Sequence, residues 1–392
     1  MFIGLAGVQS GWAVAGAETP VQRGEYLVRA GDCTSCHTSE SGTFAGGVKL
    51  NTPFGYMLGP NITPDKTTGI GLWSSEDFYR ALHEGVNREG SNLYPTMPYV
   101  SYTKVSREDS DAMYAYLRTL APVAHTVDVN HLMFPFNQRW TMEAWRALYF
   151  TEGNFVATAA KSEIWNRGAY LVEGLGHCSE CHSPRNVLGA IKSSERFEGA
   201  EVEGWYALNL SGDMTTGLGA WSVDDIVTYL KSGVLKDKTT SIGPMAEVID
   251  NSLRYMTSED LQAIATYLKS IGTDSPSQTQ NSEIDPTHVA GARLYIEHCM
   301  ACHQSKGEGI PNAFPAMVNN GAVIAANPAD ILNVMLRGIP AQHGRGPMPA
   351  FATSLTNDQM ASLANYMRTS WGNTAKPNVT PQMVEKLRSQ LD

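Results

Sequence analysis

Apolar residues recur at helical spacing near the ends of three similar stretches, Ser106–Leu120, Thr257–Ile271 and Leu355–Ser370. In the first, Met113, Tyr116, Leu117 and Leu120 form one stripe. Each stretch opens on Ser or Thr followed by acids or amides, the chemistry of a helix N-cap. Each ends with an aromatic–aliphatic pair: Tyr116-Leu117, Tyr267-Leu268 and Tyr366-Met367. Upstream lie three shorter helical patterns: Arg23-Gly24-Glu25-Tyr26-Leu27, Arg167-Gly168-Ala169-Tyr170-Leu171 and Gly291-Ala292-Arg293-Leu294-Tyr295. The glycine permits close backbone approach and the aromatic can pack against a crossing helix. Between them a middle helix begins at Trp73-Ser74-Ser75-Glu76-Asp77, at Trp221-Ser222-Val223-Asp224-Asp225 and, without the Trp, at Asn327-Pro328-Ala329-Asp330. The pattern predicts one helical unit used three times, over 18–122, 162–272 and 285–392, joined by segments 123–161 and 273–284. The first connector is aromatic, with Phe136, Trp140, Trp145, Tyr149 and Phe150. Those side chains are expected to cement the first two units, although Trp and Tyr also suit membrane interfaces. The tail starts with a Thr380-Pro381 cap, and its stripe of Met383, Leu387 and Leu391 is expected to pack on the third unit or a partner.

Length and charge narrow this picture. A chain of 392 residues favours two to four domains over one. The formal net charge of −10 argues against nucleic acid, since no basic phosphate-binding face is available. Beyond residue 17 no run approaches the roughly 20 apolar residues of a membrane span. Residues Phe2 to Ala17 are small and apolar, and Ala15-Gly16-Ala17 before Glu18 resembles a signal-peptidase site. Residues 1–17 are therefore read as a signal peptide, although no Lys or Arg precedes Arg23; a flexible arm is the alternative.

The chemistry lies just after the first helix of each unit. Cys33-Thr34-Ser35-Cys36-His37 returns as Cys178-Ser179-Glu180-Cys181-His182 and as Cys299-Met300-Ala301-Cys302-His303. A single Cys-x-x-Cys could be a zinc half-site or a redox dithiol. Here the three copies use all six cysteines and each is followed by His. That is the attachment signature of c-type haem: two thiols form thioethers to the porphyrin vinyl groups, and the His supplies one axial nitrogen. Three covalently bound haem c groups are expected, through Cys33, Cys36, Cys178, Cys181, Cys299 and Cys302, with His37, His182 and His303 on the irons. Such attachment takes place outside the cytoplasm, which points to the bacterial periplasm.

The helix–motif–loop–helix–Met loop–helix order resembles the cytochrome c domain. The expected fold class is all-α, with three tandem class I cytochrome c domains. In that family the second axial ligand is typically a Met beside Pro. Tyr94-Pro95-Thr96-Met97-Pro98, Gly243-Pro244-Met245-Ala246 and Gly346-Pro347-Met348-Pro349 all fall between the middle and last helices. The resemblance thus implies Met97, Met245 and Met348 as the opposite ligands. His/Met ligation closes both axial positions and favours electron transfer over binding of O₂ or peroxide. His177 and His298 precede haem cysteines, and hydrogen-bonding or surface roles are expected for them.

The first unit carries a more specific pattern: Phe44-Ala45-Gly46-Gly47, Thr52-Pro53-Phe54-Gly55, Pro60-Asn61-Ile62-Thr63-Pro64-Asp65 and Thr68-Gly69-Ile70-Gly71-Leu72-Trp73. This is similar to the three-haem cytochrome subunit of membrane-bound periplasmic dehydrogenases. The resemblance implies a partner catalytic subunit of flavin, pyrroloquinoline quinone or molybdenum type. It also implies electron delivery to ubiquinone or a terminal oxidase, peripheral association with the outer face of the cytoplasmic membrane, and no substrate chemistry in this chain. The rivals are a multihaem peroxidase or sulfur-compound oxidoreductase, and a free-standing periplasmic shuttle. Asn61, Thr63 and Trp73 could reach haem propionates or simply hold their loop. The second unit keeps an echo in Asn209-Leu210 and Thr216-Gly217-Leu218-Gly219-Ala220-Trp221. The third lacks it and has a shorter segment from His303 to Met348, so its haem edge is expected to be less covered.

Overall fold

The computed structural model describes residues 19–391 except 215, 236–238, 273–287 and 343–345. The expected signal peptide and the second connector therefore lie outside the described residues. Each unit has an entry helix (Pro20–Ala30, Glu163–Tyr170, His288–His298) crossed by an exit helix (Arg107–Leu117, Ser258–Leu268, Asn357–Thr369). Glycine sets the crossing. A Cβ on Gly24, Gly168 or Gly291 would lie 1.9, 2.0 or 2.3 Å from a carbonyl oxygen of the facing helix, that of Ala112, Ala263 or Ser362. Side chains larger than hydrogen cannot enter such a gap, so the repeated glycine is a packing requirement. The middle helices Ser75–His83 and Val223–Ser232 open with capping boxes, Ser74 with Asp77 and Ser222 with Asp225. The third, Ala329–Arg337, begins at Pro328 without a side-chain cap.

Helices predominate, but the chain is not purely α. Lys49–Thr52, Gly55–Leu58 and Asn130–Leu132 form a three-stranded antiparallel sheet, so the start of the first connector returns as a strand on the first unit. Two-stranded sheets pair Ala200–Val202 with Trp205–Ala207, and Val234–Leu235 with Thr239–Thr240. The hairpin at 200–207 turns on Glu203 and Gly204, both at positive φ (52° and 80°). That is the backbone a two-residue hairpin loop needs, and Glu-Gly is a weaker signal for it than Asn-Gly.

Among the described residues the buried ones form two large clusters and a smaller one. Leu27, Val28, Met113, Leu117, Leu171, Leu175, Ile226, Leu261 and Leu268 belong to a single core running through the first two units. The third unit has its own core, around Tyr295, Leu332, Leu336, Met360 and Leu363. The C-terminal helix Pro381–Arg388 closes that core with Val384 and Leu387, while Met383 of the expected stripe is exposed. The connector helix Thr141–Tyr149 buries Met142 and Trp145 in the smaller cluster. Trp145 donates its indole N–H to Leu188 O (2.9 Å) and Arg146 bonds the carbonyl of Glu84, so this helix ties the first unit to the second. Among the described residues no helix is long and apolar enough to cross a membrane.

The hairpin at 200–207 carries the second unit onto the third. Asn333 donates to Gly204 O (2.7 Å), and the Tyr206 N–H donates to Asp330 Oδ1 (2.7 Å). Asp330 is buried, and burial raises its carboxyl from the ordinary 3.8 to about 7, the Tyr206 N–H opposing. A carboxyl that holds its proton more tightly folded than unfolded stabilises the fold fully below pH 3.8, and this contribution is lost as pH rises through about 7. The Asp330→Asn variant keeps an acceptor for Tyr206 and removes the titration. Its urea midpoint should be flatter than wild type between pH 4 and 7; parallel profiles would contradict this assignment.

Candidate haem-attachment sites

Each cysteine motif folds as a short helix or its start: Cys33–His37, Ser179–His182 and Met300–His303. One helical turn places the His close in the chain's winding to its two cysteines. None of the six cysteines is in a disulfide. Burial pushes the Cys33, Cys36, Cys178 and Cys299 thiols up to about 12. Reactive or zinc-bound cysteines need the opposite shift, toward thiolate. Nor does any group of three or more His, Cys, Asp or Glu among the described residues gather as an ion site.

The three histidines share one arrangement. His37 Nδ1 meets Pro60 O at 2.7 Å, His182 Nδ1 meets Leu208 O at 2.6 Å, and His303 Nδ1 meets Pro315 O at 3.0 Å. A carbonyl can only accept, so Nδ1 carries the proton and Nε2 is left with its lone pair. Burial lowers the pKa of all three rings, with these backbone bonds opposing. A neutral imidazole, fixed in one tautomer and orientation, is what a haem iron requires.

The methionines lie against the same cores as the cysteine motifs. Met97, Met245, Cys33 and Cys178 pack half-buried against the shared core, and Met348 against the third. Met97 sits in a turn, with its N–H on Tyr94 O (3.0 Å). Met348 exchanges two backbone hydrogen bonds with Ile339 (2.9 and 2.8 Å). Met245 differs from the expected loop: Pro244 starts the helix Gly243–Asn251 and Met245 lies in its first turn. In the third unit His303, Cys299 and Met348 line one cleft with Pro315, Met317 and Phe351. It is partly open to solvent and its lining is almost wholly apolar, which suits a flat porphyrin. Thr240 and Ile242 of the second unit complete its wall. The third unit's short haem-to-Met segment is thus supplemented by its neighbour.

Asn61 and Thr63 are loop-builders. Asn61 donates to Thr68 and to Val123 O (2.8 Å) and accepts from the Thr63 N–H and hydroxyl (2.9 and 2.7 Å). These bonds account for both ends of its amide. His177 reaches Gly31 O of the first unit (3.3 Å) and meets the Tyr102 ring edge-on, a hydrogen-bonding role.

Paired thiols followed directly by a neutral, backbone-anchored imidazole define a c-type cytochrome. A cytochrome c family model matches residues 21–121 and 288–371. The chain is 40% identical to the gluconate 2-dehydrogenase cytochrome c subunit of Pantoea cypripedii, across 94% of this chain and 89% of that one. It is 37% identical to the alcohol dehydrogenase (quinone) cytochrome c subunit of Komagataeibacter europaeus (95% and 86%). It is 36% identical to the fructose dehydrogenase cytochrome subunit of Gluconobacter japonicus (96% and 84%). The chain belongs to this family of dehydrogenase cytochrome c subunits, and its role is electron transfer.

Proposed function

We propose that this chain is the three-haem electron-transfer subunit of a periplasmic dehydrogenase complex. Cys33 and Cys36, Cys178 and Cys181, and Cys299 and Cys302 each bind one haem c covalently. His37 with Met97, His182 with Met245, and His303 with Met348 would hold the three irons. The bound haems supply one-electron redox chemistry. The chain would fix their orientation through these histidines and methionines and surround them with apolar side chains. The reading is carried by one observation: the same Nδ1-to-carbonyl bond behind each of three histidines that follow a cysteine pair.

Electrons enter from a catalytic subunit of flavin, pyrroloquinoline quinone or molybdenum type and leave to ubiquinone or a terminal oxidase. The relatives serve gluconate, alcohol and fructose dehydrogenases with similar cytochrome chains, which supports placing substrate choice in the partner. Membrane association is peripheral, through the complex. Contacts support a linear relay with the second unit in the middle. It shares a core with the first, and its residues Gly204, Tyr206 and Ser241 hydrogen-bond the third.

Intact-protein mass spectrometry after expression with a haem-attachment system tests the reading. Three haem additions are expected, and two for a Cys178→Ala/Cys181→Ala variant. A wild-type mass with fewer than three would overturn it.

A further inference from the structure

The first two units meet through a reciprocal set of bonds. Asp109, in the first turn of one exit helix, is held by Arg23 of its own unit (Nη2–Oδ1 2.5 Å) and accepts from the Tyr170 hydroxyl of the second (2.5 Å). Asp260, at the same place in the other exit helix, is held by Arg167 of its own unit (2.7 and 2.7 Å) and accepts from Tyr26 of the first (2.6 Å). Each tyrosine oxygen also accepts the N–H of the facing N-cap, Ser106 or Thr257 (3.3 Å each). Exchanging the two units maps every one of these bonds onto another.

The same two-fold relation reaches the haem motifs. Ser101, just past Met97, donates to Glu180, inside the second Cys-x-x-Cys (3.0 Å). Asn251, at the end of the Met245 helix, donates to Ser35, inside the first (3.0 Å). Ser35 and Glu180 occupy the same place in their motifs, directly before the second cysteine. Tyr102 and His177, one from each unit, both bond Gly31 O (2.8 and 3.3 Å), two residues before Cys33. The third unit has none of the lock's residues: Ala290 replaces the arginine, Arg293 the tyrosine and Gln359 the aspartate. Its Tyr295 turns inward to Gln304 O (2.7 Å).

We propose that Tyr26 and Tyr170 are positioning residues for electron exchange between the first two haems, holding the two attachment motifs at one separation and orientation. This rests on the three-haem reading. The exchange needs nothing else: one iron loses the electron that the other gains, and no bond or proton moves. The tyrosines act through Asp260 and Asp109, each of which ties its exit helix to its own entry helix and to the entry helix of the other unit, and the attachment motifs follow the entry helices.

The test is circular dichroism in the Soret region of the fully reduced holo-protein, where two neighbouring haems give a split signal set by their mutual angle and distance. Haem content per chain is measured first. Fewer than three haems would count against the three-haem reading and leave this measurement its own question wherever the first two are attached. In the Tyr26→Phe/Tyr170→Phe variant the splitting should fall by about half or more, with the haem absorption bands unmoved, because the supporting bonds that fix the geometry are gone. The two single variants should show smaller losses of similar size. Tyr114→Phe, which removes a bond to the Trp73 carbonyl within the first unit, should leave the splitting intact. An unchanged splitting in the double variant, or an equal loss in Tyr114→Phe, overturns the proposal. Should the double variant not fold, singles with no loss or clearly unequal losses overturn it.

Discussion

Asp260→Ala is expected to destabilise the shared core of the first two units by about 3–5 kcal/mol, the cost of leaving a buried charge without its partner. The side chains of Arg167 and Asp260 are only 10% and 9% exposed. They meet through two parallel hydrogen bonds of 2.7 Å, the strong bidentate form. Removing the carboxylate strands the guanidinium and takes the acceptor from the Tyr26 hydroxyl of the neighbouring unit. Denaturant unfolding followed by tryptophan fluorescence gives the loss directly. A drop below about 1 kcal/mol would place the pair with exposed ion pairs, whose worth is that small. Replacing both partners by Met and Leu should recover much of the loss, since no unpaired charge then remains.

Gly168→Ala is the second large effect. The new methyl carbon would lie 2.0 Å from Ala263 O and 2.8 Å from Tyr267 Cβ, so the entry and exit helices must part. Overpacking of this kind costs about 1–3 kcal/mol, and more where the obstacle is backbone, as here. The same change at Gly153, where a Cβ meets nothing within 4 Å, should be neutral or stabilise by about 0.4–1 kcal/mol by restricting the unfolded chain. Thermal melts of the two variants should diverge in sign or nearly so. Equal midpoints would mean that the helix crossing does not require a glycine there.

Much of this was legible in the chain. The helical stripes ending at Leu117, Leu268 and Met367 form the three exit helices, because apolar spacing and Ser/Thr caps act over a few residues. The crossing glycines were legible too, since a repeated Gly before an aromatic has few other uses. The sheets were not. The Glu203-Gly204 turn has weak local chemistry, and the strand at Asn130–Leu132 pairs with residues more than seventy positions earlier. Met245 has Pro on one side only, unlike its two counterparts, and Pro244 is as well suited to starting a helix as to bordering a loop.

By itself, the sequence determined the local chemistry of this protein. Three cysteine pairs each precede a histidine, and one helical turn is enough to bring those groups together wherever the unit sits. Only the tertiary structure decided how the units relate. The tyrosine two residues after each glycine faces the neighbouring unit in the first two copies. In the third, the aromatic falls four residues after the glycine, and two residues on a helix amount to a rotation of roughly 200°. Tyr295 therefore lies on the other face and packs inward against Tyr366 and Trp371. Local spacing specifies what a helix can offer, but its partner is selected by side chains reaching across long separations in the chain. For that reason two units share one core and the third keeps its own.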